Sequence, residues 1–267
     1  MKSIQKVYKK PQFAKKSFGQ NFLVDGNYID KIIRALAPQH GETIIEIGAG
    51  RGALTEKLVE SGANIVAVEL DRDMIAVLKE KFRAAENFRL IESDALKIDF
   101  AGLRTPNSEF RTKLVANLPY YISTAILQKL IEQREVFSEM ILMFQKEVVE
   151  RITARVGNSD RGFLTVLVEN YLDAEKLFDV PPRAFRPSPK VNSAVVRLIG
   201  KEPVKIDDEK FRKLVSAAFR QKRKTILNNL KSDLADAETS LTAADIDPQR
   251  RAESLTIEEW RSLSRLI

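Results

Sequence analysis

From residue 25 onward the chain alternates two kinds of apolar pattern. Ile29, Ile32, Ile33 and Leu36 recur at three- and four-residue spacing, which predicts an amphipathic helix ending near Pro38. "ETIIEIG" (42–48) is a short β-branched run and predicts a strand, whereas "ALTEKLVESG" (53–62) has helical spacing closed by Gly62. The alternation continues with "NIVAVEL" (64–70) as a strand, "RDMIAVLKEKFRAA" (72–85) as a helix, and "NFRLIESD" (87–94) and "KLVANLPY" (113–120) as strands. "ISTAILQKLIEQ" (122–133) then reads as a helix and "EMILMFQ" (139–145) as a fifth strand. Parallel strands need crossover connections, and helices of this length supply them. The expected fold class is α/β, with a doubly wound, mostly parallel sheet covered on both faces over residues 25–200. Past Gly200 the pattern changes. "DDEKFRKLVSAAFRQKRKTILNNLKSDL" (207–234) and "TIEEWRSLSRL" (256–266) keep helical spacing without strand-like runs, which predicts a small all-helical domain over 201–267.

Charge adds a partner to this outline. The formal net charge is +7 over 267 residues, and the basic residues are clustered. No acid precedes Asp25, whereas Lys2, Lys6, Lys9, Lys10, Lys15 and Lys16 do, so residues 1–24 form a basic arm. Arg183, Arg186, Lys190 and Arg197 lie in an acid-free stretch (181–200), and "FRQKRK" (219–224) holds Arg220, Lys222, Arg223 and Lys224. Three separated basic segments suit a polyanion, because each neutralised phosphate releases counterions; a solvated surface is the plainer reading of any one of them.

Composition removes several chemistries. There is no cysteine and one histidine, His40, so a disulfide framework, a thiolate or multi-histidine metal site and a cysteine nucleophile are excluded. His40 sits in "APQHGET", a turn between helix and strand, and reads as a solvated loop residue. No apolar run reaches the roughly 18 residues of a membrane span, and the lysine-rich start lacks the apolar centre of a secretory signal, so a cytoplasmic location is expected.

The strand ends carry the remaining candidate chemistry. In "EIGAGRGALTEKL", Gly48, Gly50 and Gly52 follow a strand and precede a helix, which allows a tight turn and close approach of a ligand. Glu69, 21 residues after Gly48, ends the second strand and could accept from ribose hydroxyls. With Ala53 at the third small position the loop also satisfies a loose dinucleotide pattern, and a structural glycine turn is a further reading. Asp94 follows the third strand and could accept from an adenine amino group or cap a helix. Asn117, Leu118, Pro119 and Tyr120 end the fourth. Ligands bind beyond the carboxyl ends of such strands, so these groups should share one crevice. A dinucleotide enzyme would need a proton or hydride partner there, and no histidine is available.

Taken together, Glu46 with the glycine loop, Glu69, Asp94 and Asn117 resemble the crevice of class I methyltransferases that use S-adenosylmethionine. The resemblance implies that the glycine loop with Gly48 and Gly50 holds the methionine end, Glu69 the ribose and Asp94 the adenine, with Glu46 a further cofactor contact. A sulfonium methyl is already activated, so its transfer needs alignment of a nucleophile more than a base. An adenine N6 is a poor nucleophile because its lone pair is delocalised. Acceptors on the amino hydrogens, the Asn117 side-chain oxygen and the Leu118 carbonyl, would favour a pyramidal nitrogen. Pro119 would stiffen the backbone, and Tyr120 offers a face for stacking.

Longer stretches narrow the resemblance. "KKSFGQNFLVD" (15–25), "IEIGAG" (45–50), "NLPYYIST" (117–124), "QKEVVERI" (145–152), "VPPRAFRPSPKVNSAVVRL" (180–198) and "FRQKRKTILNNL" (219–230) resemble the small-subunit branch of the ribosomal RNA adenine N6-dimethyltransferases. The resemblance implies cofactor contacts from Gln20, Asn21 and Leu23, and a Phe185 ring facing Tyr120 across a flipped adenine. Stacking of that kind is worth about 1–3 kcal/mol per base. Pro182, Pro187 and Pro189 favour an exposed loop for Phe185, with core packing as the alternative. The implied substrate is 16S ribosomal RNA within the 30S subunit or its precursor, dimethylated at two adjacent adenosines of a 3′-terminal hairpin, by a monomer with a role in subunit biogenesis. Lys15, Lys16, Arg186, Lys190, Arg220, Lys222, Arg223 and Lys224 are the candidate RNA contacts. Lys222 stands where the family more often has arginine, and Arg161 where it commonly has tyrosine. A DNA adenine methyltransferase, or an assembly factor whose catalysis serves release, are the rival readings.

Overall fold

The structure is a computed structural model and describes residues 20–103 and 112–267. The strands in chain order are β1 (Phe22–Leu23), β2 (Thr43–Ile47), β3 (Asn64–Glu69), β4 (Phe88–Glu92), β5 (Thr112–Asn117), β6 (Phe137–Gln145), β7 (Leu172–Val180), β8 (Phe185–Arg186) and β9 (Ser193–Gly200). The α-helices are α1 (Gly26–Leu36), α2 (Ala53–Glu60), α3 (Arg72–Lys81), α4 (Ser123–Glu132), α5 (Lys146–Ile152), α6 (Phe163–Tyr171), α7 (Asp208–Ala218), α8 (Ile226–Leu230), α9 (Ala237–Ala243) and α10 (Ile257–Leu266). The main sheet has the order β4-β3-β2-β5-β6-β9-β7. Its first five members are parallel, and β9 runs antiparallel to both β6 and β7. The expected doubly wound, mostly parallel sheet is present.

Two of these strands lie outside the five that periodicity predicts. β7 is an edge strand with Asp173, Glu175, Lys176 and Asp179 along it, and its register shifts between Lys176 and Phe178. That irregularity breaks the two-residue alternation by which a half-buried strand is recognised. β9 carries the clear apolar run Ala194, Val195, Val196 and Leu198, within the stretch first read for its charge. Arg197, one of those charges, is spent on structure: its guanidinium donates to Glu139 at 2.6 Å, Glu175 at 3.2 Å and the Ala35 carbonyl at 3.0 Å.

Alternation along each strand divides the core. Ile45, Ile47, Val66, Val68, Leu114 and Ala116 face α4 and α6, while Ile44, Ile65, Val115 and Ile141 face α1 and α2. Asp25 starts α1 by accepting from the Asn27 N–H at 3.0 Å, and Ala37, left-handed at φ 44°, ends it before Pro38. His40 is exposed in the following turn.

The C-terminal helices do not stand apart from the sheet. Phe211, Leu214, Leu230 and Trp260 belong to the same buried cluster as Leu114, Leu127 and Val166. Arg161, only 1% exposed, joins the two regions: it donates to the Leu255 carbonyl at 3.2 Å and lies 2.5 Å from the Glu169 carboxylate, while its Nε has no partner. The helical pattern over 207–234 is broken at residues 219–225, a turn between α7 and α8. Asn229, buried, staples that turn by donating to the Gln221 carbonyl at 3.1 Å and accepting its N–H at 3.0 Å, and Thr225 caps α8. Because one core spans sheet and helices, urea unfolding followed by the fluorescence of Trp260, the only tryptophan, should coincide with loss of far-ultraviolet circular dichroism. Two separated transitions would show independently folding units.

Candidate active site

The chain runs from β2 outward through β3 and β4, then returns to β5 on the other side of β2. At that reversal the βα connections diverge and leave a crevice beyond the carboxyl ends of the strands. Gly48 follows β2 at φ +73°, and a Cβ on it would lie 3.8 Å from the Asn117 carbonyl at the end of β5. Gly50, at φ +55°, lies beneath the Phe22 ring, which a Cβ would approach to 3.1 Å. The loop is therefore closed down by β1 and needs glycine both for its conformation and for that approach. The resulting cavity of about 370 Å3 is lined by Gln20, Asn21, Leu23, Glu46, Gly48, Gly50, Glu69, Asp94, Asn117, Leu118, Pro119 and Tyr120. All of the expected cofactor residues and the whole tetrapeptide meet in one place.

Glu69 is the hinge of the polar framework. Its Oε1 accepts the N–H groups of Leu70 and Asp71, both at 2.9 Å, and its Oε2 accepts that of Gly50 at 2.9 Å. A carboxylate has about four accepting directions, so Oε2 keeps room for one donor from a ligand. Asp71, to which the sequence alone did not point, accepts from the Gln20 side chain at 2.8 Å and draws the start of the described chain onto the crevice. Asp94 acts as a cap, its Oδ1 accepting from the Leu96 N–H at 2.9 Å, and the residue also lines the cavity.

Glu46 is 2% exposed, and Thr55 on α2 donates to it at 2.6 Å. Burial raises its pKa to about 7, with the Thr55 bond opposing and the neighbouring Glu69 charge adding to the rise. A buried carboxyl held near neutrality in this way is suited to a cation in the cavity.

Asn117 is oriented by a neighbour. Its Nδ2 donates to the main-chain carbonyl of Asn21 at 3.1 Å, and a carbonyl can only accept, so Oδ1 is presented on the other side. Within the tetrapeptide, the Pro119 carbonyl is taken by the Ile122 N–H at 3.2 Å and the Tyr120 carbonyl by the Ser123 hydroxyl at 3.0 Å. Asn117 Oδ1 and the Leu118 carbonyl are acceptors available to an incoming amine. The arrangement can hold an amino group by its hydrogens beside a nucleoside cavity without any titrating base.

Comparison with known proteins places the chain in a family. Residues 12–267 match the family model for ribosomal RNA adenine dimethylase. The chain belongs to the ribosomal RNA adenine dimethylase family. The ribosomal RNA small subunit methyltransferase A of Saccharophagus degradans is 45% identical over 95% of this chain and 94% of its own, and that of Clostridium botulinum is 43% identical over 94% and 93%. Among solved structures, a dimethyladenosine transferase from Plasmodium falciparum superposes with a TM-score of 0.76 at 30% identity, covering 90% of this chain and 95% of its own. The 23S rRNA methyltransferase ErmE, with a TM-score of 0.67 at 24% identity over 92% and 99%, shares the fold. This dimethylase is an enzyme that transfers methyl groups from S-adenosylmethionine to ribosomal RNA adenine. The residues present fit that donor: a left-handed glycine loop, a ribose-range acceptor at Glu69, an acceptor at Asp94 and a buried carboxyl at Glu46.

Not every expected residue of the dimethylase falls where the sequence pointed. Phe185 is not on an exposed loop. Its ring is 0% exposed and does not line the cavity; it packs with Leu23, Ile29, Val180, Ala184 and Val195, and its strand pairs with Leu23. Pro187 and Ser188 beside it are exposed, but burying a phenylalanine stabilises by about 1.5–3 kcal/mol, and the β1/β8 pairing turns this ring inward. The aromatic side chains that do line the cavity are Phe22, Tyr120 and Tyr121. "KRKT" (222–225) lies in the turn between α7 and α8 rather than in a helix, because Thr225 is the cap of α8. Lys222, Arg223 and Lys224 are exposed there, as are Arg186 and Lys190. Arg220 is also exposed but pairs with Asp233 at 2.9 Å and with the Ser232 hydroxyl at 3.0 Å. Lys15 and Lys16 lie outside the described residues.

Two outcomes are expected. Cofactor affinity should rise as pH increases from about 6 to about 7.5, because Glu46 ionises in that range and then attracts the donor's ammonium group. Glu46→Gln should bind more weakly with that pH dependence lost, as calorimetric titration would show. In the free protein the sign is opposite. The unfolded carboxyl ionises near 4.5 and the folded one near 7, so the stability contribution is complete below 4.5 and lost as pH rises through 7. Phe185→Ala should cost about 3–5 kcal/mol of stability in denaturant unfolding. Phe185→Leu should keep methyl transfer near the wild-type rate, whereas a stacking role would lose it.

Proposed function

We propose that the enzyme dimethylates N6 of two adjacent adenosines in a 3′-terminal hairpin loop of 16S ribosomal RNA, on the small subunit or its precursor in the cytoplasm. The observation that carries this reading is the Asn117–Tyr120 tetrapeptide with its two remaining acceptors beside the nucleoside cavity. S-adenosylmethionine supplies a methyl group already activated on sulfur. In the first transfer Asn117 Oδ1 and the Leu118 carbonyl accept the two hydrogens of the adenine amino group, which directs the nitrogen lone pair away from the ring plane. In the second they hold the one remaining hydrogen, and after each transfer the proton shed by the methylated nitrogen passes to solvent. Pro119 holds the backbone so that both acceptors keep their aim. Tyr120 stacks on the flipped base and replaces part of the stacking lost from the RNA. Gln20, Asn21, Leu23, Glu46, Gly48, Gly50, Glu69 and Asp94 hold the donor.

Small-subunit RNA is favoured because the curated relatives at 43–45% identity are named for that substrate. Lys15, Lys16, Arg186, Lys190, Lys222, Arg223 and Lys224 neutralise phosphates of the RNA, with Arg220 contributing once its partner Asp233 is outcompeted. The C-terminal helices serve as the docking part of the molecule, and subunit biogenesis is the process in which the modification acts.

The deciding experiment is tritium transfer from labelled S-adenosylmethionine into unmethylated small subunits, followed by nucleoside analysis. Label in N6,N6-dimethyladenosine is expected, and Asn117→Ala should reduce it by roughly a hundredfold or more while donor binding persists. Equal incorporation by Asn117→Ala would defeat the proposed mechanism, and label in duplex DNA but not in the subunits would defeat the proposed substrate.

A further inference from the structure

We infer that Ser193 is a positioning residue for methyl transfer, its hydroxyl fixing the ring of Tyr120 at the mouth of the crevice. This rests on the reading of the Asn117–Tyr120 tetrapeptide as the transfer site. Ser193 opens β9, where it is in register with Gln145 at the end of β6 and with Val180 at the end of β7. Asn117 ends β5 in register with Met143 of the same β6, so the antiparallel β9 delivers Ser193 to the end of the sheet that carries the crevice. A serine is a poor choice for a fully buried strand position followed by Ala194, Val195 and Val196, since its hydroxyl must find a partner there. The partner is the Tyr120 hydroxyl, 2.7 Å away. Either hydroxyl can donate in this bond; burial raises the Tyr120 pKa and the Ser193 bond opposes that rise.

The ring is thereby tied at both ends. Its main-chain carbonyl accepts from Ser123 Oγ at 3.0 Å, and its hydroxyl is held by Ser193 Oγ. Ser193 is itself anchored, because the preceding residue, Asn192, accepts the Lys146 N–H at 2.9 Å where β6 passes into α5. Turning the side chain about its first torsion (χ1) carries the hydroxyl away from Ser193 and leaves the buried Ser193 hydroxyl unpaired, whereas rotation about the ring's own axis leaves the bond in place. The direction in which the ring projects into the mouth of the crevice is therefore set before RNA arrives, which spares that part of its ordering when the base enters.

The test is a double-mutant cycle read in steady-state transfer to unmethylated small subunits. Ser193→Ala and Tyr120→Phe should each lower kcat by roughly three- to thirtyfold with donor affinity close to wild type. The double variant should be no slower than the slower single one, because both changes remove the same bond. Ser193→Thr, which keeps the hydroxyl, should recover most of the rate. Wild-type kcat in Ser193→Ala alongside an impaired Tyr120→Ala, or additive losses in the double variant, would overturn the inference. Wild-type transfer by Tyr120→Ala would instead remove the reading of the tetrapeptide on which it rests.

Discussion

Parallel pairing of β2 with β5 is the constraint on which the crevice depends. Parallel neighbours end at the same edge of the sheet, so the glycine loop after one and the tetrapeptide after the other must meet. Because β3 and β4 lie on the far side of β2, the two connections leave in opposite directions and open a gap that residues 20–23 cover. Glu69 and Asp94 arrive from the ends of β3 and β4 at the same edge. The site thus draws on residues spread over about a hundred positions of sequence, yet their convergence follows from strand order alone.

Within that frame the polar groups divide their work by what each can donate or accept. Glu69 spends most of its acceptors on backbone N–H groups, including that of Gly50, and so fixes the loop before it meets a ligand. Asn117 spends its donor on the Asn21 carbonyl and keeps its oxygen. The Pro119 and Tyr120 carbonyls are consumed by the turn into α4, which leaves the Leu118 carbonyl. Glu46 alone is held at a cost, since its burial opposes the charge that a cationic donor would favour. The result suits a reaction in which the leaving group is already activated and alignment is the remaining task.

Cations show the opposite behaviour, because long side chains on the surface are free to pair locally. Arg197 and Arg220 both read as parts of basic segments, but one is bound into a network with Glu139 and Glu175 and the other into a pair with Asp233. Arg161 goes furthest, buried between α6 and the segment before α10. Charge counted along a chain overstates what a surface offers to a polyanion, since partners distant in sequence are brought within reach by folding.

The sequence by itself determined the five parallel strands, their intervening helices and the strand-end residues Gly48, Glu69, Asp94 and Asn117. Each of those signals is local: a hydrophobic period, a glycine that only a left-handed turn explains, or a residue type at the end of a β-branched run. Only the tertiary structure decided that Phe185 faces the core, that β7 is a strand despite its charges and its register shift, and that "KRKT" is a turn. It also decided that Ser193 meets Tyr120 across 73 residues of chain. Those features depend on which side chain lies opposite which across strands and helices far apart in sequence, and the period of a single segment carries no record of its partners.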